Sequence, residues 1–240
     1  MTLTLVAGIW VQPRFEAADR KLPWNLTQPL IAAELARGPE SAAWLTGDEM
    51  RAARDRDAMA THLGRDGVFI ASYTALFVGC SILVARRRDW RWAVLPMLLT
   101  VAAAALDFGE NAALRGVLTT MPAAYPYRWS TWKWAAIFVA LASLWPALVE
   151  RNGAALRRSM GWIAAGISWL LAGLGLLGIV FWVPALIEAS TKWMVVLLGV
   201  AWVYFVTYPI LEEGLLPVLN RVAAWPGIRW IASLPYRPPR

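Results

Sequence analysis

Cysteine and histidine are almost missing from this chain, which has one of each, Cys80 and His62, in 240 residues. A lone cysteine excludes a disulfide framework and any C-x-x-C redox or zinc motif. A lone histidine excludes a multi-histidine metal centre and a bis-histidine haem. No metal and no cofactor are therefore expected, and His62 reads as a surface histidine near a helix start. Charge is also scarce. Charged residues make up 16% of the chain, against about 25% in an ordinary soluble domain. None of the G-x-G-x-x-G, Walker, H-E-x-x-H, G-x-S-x-G or S-x-x-K signatures occurs in a setting that would give it meaning, so the familiar nucleotide, zinc-protease and serine-hydrolase chemistries have no support. Internal repeats and low-complexity tracts are lacking as well.

What the chain has in abundance is apolar surface. It is 59% hydrophobic with 16 Trp, and its mean hydropathy is +0.48. Tryptophan flanking apolar runs suggests aromatic belts at two membrane interfaces. The formal charge of +7 would hint at nucleic acid in a soluble protein. Here the basic residues sit in short loops between apolar runs, so membrane topology explains them and no nucleic-acid partner is expected.

Five apolar runs are long enough to span a bilayer, at 67–85, 94–118, 132–149, 161–184 and 193–211. The expected fold is all-α, a polytopic transmembrane helix bundle occupying 66–217. Residues 1–13 form a short apolar segment, read as an interfacial foot or a truncated first span; no basic stretch precedes it, which argues against a cleaved signal peptide. Residues 14–65 carry eight basic and eight acidic residues, Glu34 among the latter. They read as an extracytoplasmic helical segment, with a helix near 28–37, a break at Gly38-Pro39 and a helix from about Asp48. Residues 218–240 read as an amphipathic piece and a basic tail on the membrane surface.

Orientation follows from the short loops. Arg86, Arg87, Arg88, Arg91, Arg151, Arg157, Arg158, Arg221, Arg229, Arg237 and Arg240 fall on one side; Arg115, Arg128 and Lys192 fall on the other. The first side is expected to be cytoplasmic, with 14–65 outside, the C-terminus inside, and the whole in a plasma (inner) membrane.

Within the second run, Asp107, Glu110, Asn111 and Leu114 recur at i, i+3, i+4 and i+7 and so share one helical face. Carboxylates inside a span are expensive and need partners or a task. At 1.5 Å per residue Asp107 lies roughly 20 Å from Val94, in the outer part of the hydrocarbon core. Asp66 and Tyr73 on the preceding run, and Lys133 on the next, fall at similar height. Asp107, Glu110, Lys133, Tyr73 and Asp66 are thus the candidate catalytic residues, and Asn111, Phe69 and Trp132 the candidate ligand contacts. Glu188 and Lys192 are expected to bracket the last outer loop. Ser168, Ala172, Gly175 and Gly178 form a small-residue stripe suited to close helix packing, within the chain or between protomers. Glu212 and Glu213 read as solvated or paired with Arg221. Trp169, Trp202 and Tyr204 read as packing or belt residues, with a lipid or pigment groove as the alternative.

The segments Asp66-Gly-Val-Phe69-Ile-Ala-Ser-Tyr73 and Asp107-Phe-Gly-Glu110-Asn111-Ala-Ala-Leu114, followed by Lys133, resemble a pattern in small bacterial polytopic membrane proteins. These carry D-x-x-F-x-x-x-Y on one span, D-x-x-E-N-x-x-L on the next and a lysine on a third. The resemblance covers about residues 30–145 and implies a helix bundle but no particular reaction. The chain departs from the pattern in its stunted first run and in two further runs after Arg158. Three functions stay open. In the first, the cluster is structural, in an accessory or lipid-binding protein that acts alone, as a homo-oligomer or in a membrane complex. In the second, the protein is a membrane-embedded enzyme acting on a lipid or isoprenoid from the outer side, or on another small molecule. In the third, it is a proton-coupled transporter.

Overall fold

Proline placement sets the helix starts. In a computed structural model of the chain, which describes residue 15 and residues 21–47, 50–87, 90–119, 125–148 and 155–202, three helices open on a proline. They are α1 (Pro29–Glu34), α2 (Pro39–Thr46) and α7 (Pro184–Trp202). Proline is favoured there because its fixed φ suits the first turn and its missing N–H would be unpaired anyway. The remaining helices are α3 (Met50–Arg87), α4 (Trp90–Leu118), α5 (Tyr127–Leu148) and α6 (Ala155–Val180). All regular structure among the described residues is helical. The expectations for 1–13, for 218–240, for the Trp202 side chain, for Tyr204 and for Glu212 and Glu213 lie outside the described residues.

The chain forms two compact units, Met1–Leu197 and Leu198–Arg240. Helices α1 to α6 and most of α7 belong to the first. Helix α4 packs between α3 and α5, and α6 packs against α5. Residues 50–87 contain no proline, and α3 runs through them without a break for 38 residues, roughly 57 Å at 1.5 Å per residue. A hydrocarbon core is about 30 Å thick, so α3 is nearly twice as long as a span requires. Its polar first half is continuous with its apolar second half.

The segment before α3 departs from expectation in one respect. Gly38-Pro39 does not simply break a helix; Pro39 begins a new one. Ser41 Oγ accepts the N–H groups of Arg37 at 2.9 Å and Gly38 at 3.1 Å, satisfying donors at that start. Helices α1 and α2 then form a lid with its own apolar core. Leu35, Ala36, Trp44 and Leu45 pack with Met59 and Leu63 of α3, Leu114 and Val117 of α4, and Ile187 of α7.

Helix α4 begins at Trp90, a turn before the apolar run, so Pro96 is internal to it. Proline at such a position cannot donate to the carbonyl one turn back. Thr100 Oγ1 donates to the Pro96 carbonyl at 2.7 Å in the same region. Among the described residues, two helical stretches, Trp90–Leu118 and Gly161–Val180, are long and apolar enough to cross a membrane, with only 28% and 39% of their apolar windows buried inside the protein. Their outer faces present Leu95, Leu98, Val101 and Phe108 on α4 and Trp162, Ile163, Leu170 and Leu177 on α6.

The loop expected between Glu188 and Lys192 lies elsewhere and is short. The connection from α6 to α7 is Phe181–Val183, with Val183 N–H donating to the Gly178 carbonyl at 2.7 Å. Glu188 and Lys192 therefore do not bracket a loop; they lie one turn apart inside α7. Trp182 in this turn and Trp24 in the 3-10 turn Pro23–Asn25 both have positive φ, 51° and 55°. Left-handed backbone at a bulky residue costs about 1–3 kcal/mol and persists only where surrounding contacts enforce it. The two indoles meet edge to face, with centroids 6.1 Å apart.

The small-residue stripe packs inside the chain. Ser168, Ala172, Gly175 and Gly178 are all buried, and a Cβ at Gly175 would collide with the Phe138 ring of α5. Trp169 Nε1 bridges the same helix pair by donating to the Ala142 carbonyl at 3.0 Å. We expect Gly175→Ala to destabilise the bundle by about 1–3 kcal/mol through overpacking, with partial recovery on adding Phe138→Leu. Thermal unfolding in detergent is the check, and an unchanged midpoint for the single variant would contradict this packing.

Candidate functional site

The buried face of α4 comprises Pro96, Thr100, Ala103, Asp107, Glu110, Asn111, Leu114 and Val117, spaced by three and four residues. That spacing turns both carboxylates toward α3 and α5. Lys133, from the first turns of α5, enters between them and is 3% exposed. Its Nζ donates to Glu110 Oε1 at 2.7 Å and lies 3.0 Å from Asp107 Oδ1 and 3.4 Å from Glu34 Oε1. The ammonium thus lies among three carboxylates.

Each carboxylate is anchored on its other side, with one exception. Tyr73 of α3 donates its hydroxyl to Asp107 Oδ2 at 2.6 Å. Trp134 Nε1 donates to Glu34 Oε2 at 2.9 Å, and Ser130 Oγ donates to the Glu34 backbone carbonyl at 2.7 Å. Glu110 Oε2 is the exception: it is buried and has no hydrogen-bond partner. The Trp134 ring also faces the ammonium, with its centroid 4.8 Å from Nζ, a distance at which a cation is attracted to the ring.

Asp66 belongs to a neighbouring pair and not to the lysine. Its Oδ2 accepts from Asn111 Nδ2 at 2.8 Å, and its Oδ1 lies 3.8 Å from His62 Nε2, one turn earlier on α3. His62 is therefore not a surface residue. It is 6% exposed, in the middle of the polar half of α3 beneath the α1–α2 lid. Phe69 is half-buried and supports Tyr73 edge to face at 5.4 Å. Trp132 does not contribute to the cluster; it is 68% exposed and faces away. Trp129 instead lies over α4, where a Cβ on Gly109 would fall 2.5 Å from its ring.

Sequence reasoning missed Glu34, Trp134 and Ser130. Glu34 counts among eight acidic residues in a charge-balanced segment, which makes it look solvated. The available signal was its setting, Ile31-Ala-Ala-Glu34-Leu-Ala, an isolated carboxylate in an apolar stretch. Glu188 makes a second tie to the lid. Its Oε1 accepts the Thr27 N–H and Oγ1 at 2.8 Å each and the Gln28 N–H at 2.5 Å. Lys192 completes that contact with Glu188 at 3.3 Å and with Thr27 Oγ1.

The arrangement is closed. Lys133 and the three carboxylates around it are all buried, and a cleft of about 440 Å³ lined by Lys21, Pro23, Trp24, Glu40 and Trp44 lies apart from them, beside the lid. Among the described residues no three His, Cys, Asp or Glu side chains are placed to hold a metal ion. Three carboxylates face one ammonium, and burying uncompensated charge is costly. For Glu34, burial pushes the carboxyl above its ordinary 4.5; the Lys133 ammonium opposes this and Asp107 reinforces it. Comparison with family models, with curated proteins and with solved structures gave no match, so the chemistry rests on this geometry.

A carboxyl whose proton affinity rises on folding favours the folded state most when protonated, and that contribution declines as pH climbs from 4.5 toward the folded value. Glu34→Gln removes it. We expect the stability of the wild type relative to this variant to fall as pH is raised above about 4.5, measured by denaturant unfolding at a series of pH values. A difference that grows with pH would refute the assignment.

Proposed function

We propose that the protein is a multi-pass helix bundle of a bacterial inner membrane, acting as an accessory or lipid-binding component, in which the Lys133 cluster holds the helices in register. The carrying observation is that Lys133 Nζ sits within 3.4 Å of carboxylates from two other elements, sealed from solvent. A catalytic site needs an opening for its substrate; a structural lock does not. The mostly exposed apolar faces of α4 and α6 support the bilayer as the surrounding phase, since water would penalise them. In this reading α5, α7 and the apolar half of α3 complete five spans. The arginine distribution orients 14–65 outward and the C-terminus to the cytoplasm. The convergence of Asp66, Tyr73, Asp107, Glu110, Asn111 and Lys133 supports membership of the bacterial group whose three-span pattern they resemble.

Removing one partner of a buried ion pair typically costs about 3–5 kcal/mol. Lys133→Met and Asp107→Asn should each lower the folded, monodisperse yield in detergent severalfold, and the double variant should recover part of the loss. Wild-type yields from both single variants would overturn the structural role.

One observation favours a second reading, a proton-coupled function. Glu110 Oε2 is buried without a hydrogen-bond partner, in a cluster with more carboxylates than its ammonium can neutralise. A proton there would reduce the net charge of the cluster. On this reading, liposomes containing the wild type show pH-gradient-driven flux that Glu110→Gln abolishes. Absence of flux from the wild type removes it.

A further inference from the structure

Two arginines outside the buried cluster share one aromatic platform. The Arg37 guanidinium, just past the end of α1, lies 3.1 Å from the Trp182 ring centroid and 5.1 Å from that of Tyr127. Arg128, the second residue of α5, has its Cζ 5.8 Å from the same Tyr127 ring and donates Nε–H to the Tyr127 hydroxyl at 3.0 Å. Tyr127 and Trp24 each meet Trp182 edge to face, at 6.1 Å. Both arginines are exposed, and among the described residues neither guanidinium has a carboxylate partner.

Stacking occupies the faces of a guanidinium and leaves its N–H donors free in the plane. Arg128 spends only Nε–H on Tyr127, so both of its terminal amino groups remain available. Among the described residues, no hydrogen bond fills the edge of the Arg37 guanidinium, and only Nε–H of Arg128 is engaged. Planar forks of this kind match the oxygens of a phosphate. Position narrows the source. Tyr127 precedes Lys133 by six residues, so the platform lies roughly 9 Å further out along α5 than the buried cluster. It stands beside the end of α6, where Val180 and Phe181 are 73% and 70% exposed. Cationic edges, aromatic rings and bare apolar side chains at one level are suited to the headgroup and upper acyl region of a lipid.

We infer that Arg37, Arg128, Tyr127 and Trp182 form a binding site for the phosphate of an anionic phospholipid headgroup. Trp24 buttresses Trp182, and Val180 and Phe181 lie against the acyl chains. The inference rests on the membrane placement proposed above and specifies the lipid contact left general there.

The test is native mass spectrometry of the full chain released from detergent, titrated separately with phosphatidylglycerol, with uncharged diacylglycerol and with orthophosphate. One phosphatidylglycerol should be retained per chain, and Arg37→Gln/Arg128→Gln should weaken retention at least tenfold. Arg37→Lys/Arg128→Lys, which keeps the charge and loses the planar fork, should weaken it severalfold. Retention unchanged in both double variants, or diacylglycerol retained as well as phosphatidylglycerol, overturns the site. Orthophosphate bound as tightly as phosphatidylglycerol overturns the lipid assignment. Liposome flotation separates the two levels: failure of the wild type to float refutes the membrane placement, whereas flotation with unaltered lipid retention refutes this site alone.

Discussion

A lysine ammonium removed from water must be surrounded by acceptors, and the fold is arranged to meet that demand at Lys133. Its three carboxylate neighbours arrive on two elements, Glu34 at the end of α1 and Asp107 and Glu110 one turn apart on α4. Tyr73 brings in α3 through Asp107. Helices α1, α3, α4 and α5 are thereby tied together around one nitrogen, α3 through Asp107. In a low-dielectric interior such interactions are strong, but so is the cost of any member left without a partner. The cluster therefore specifies one register of α3, α4 and α5 far more sharply than apolar packing alone, because a slip of one turn would strand buried charge.

Glu34 links this centre to the lid. Its side chain faces Lys133 and Trp134, its backbone carbonyl accepts from Ser130, and the neighbouring Leu35 and Ala36 lie in the apolar core shared with Met59, Leu63 and Leu114. The lid is held a second time at α7, where Glu188 accepts the Thr27 and Gln28 N–H groups. Polar closure and apolar burial act on the same helices. The outward-facing sides of α4 and α6 carry the opposite character, with bare apolar side chains and no polar satisfaction to offer. The described residues thus separate a buried polar cluster from exposed apolar faces on α4 and α6.

The candidate site was legible to the extent that it depends on helical periodicity. Asp107, Glu110, Asn111 and Leu114 repeat with a period that any helix must display on one face, and their separation from Val94 converts directly into height. The lysine on the following helix could be matched to them by height as well. Glu34 and His62 could not be placed in this way. Glu34 stands in an apolar stretch within a charge-balanced segment and His62 in the polar half of α3, and local composition distinguishes neither from a solvated residue, yet both are buried. Trp132 erred in the opposite direction: it neighbours Lys133 in sequence, yet adjacent helical residues point about 100° apart, and its indole faces outward.

By itself the sequence determined an all-helical chain with long apolar runs, the polar face of α4 and the approximate level at which Tyr73, Asp107 and Lys133 stand, because these follow from local spacing and the fixed rise of a helix. Only the tertiary structure decided that Asp66 pairs with Asn111 rather than with Lys133, that Glu34 supplies the third carboxylate, and that Arg37 stacks on Trp182. Those pairings join residues 45, 99 and 145 positions apart. They depend on which faces meet when the lid and helices pack, and no local periodicity carries that information.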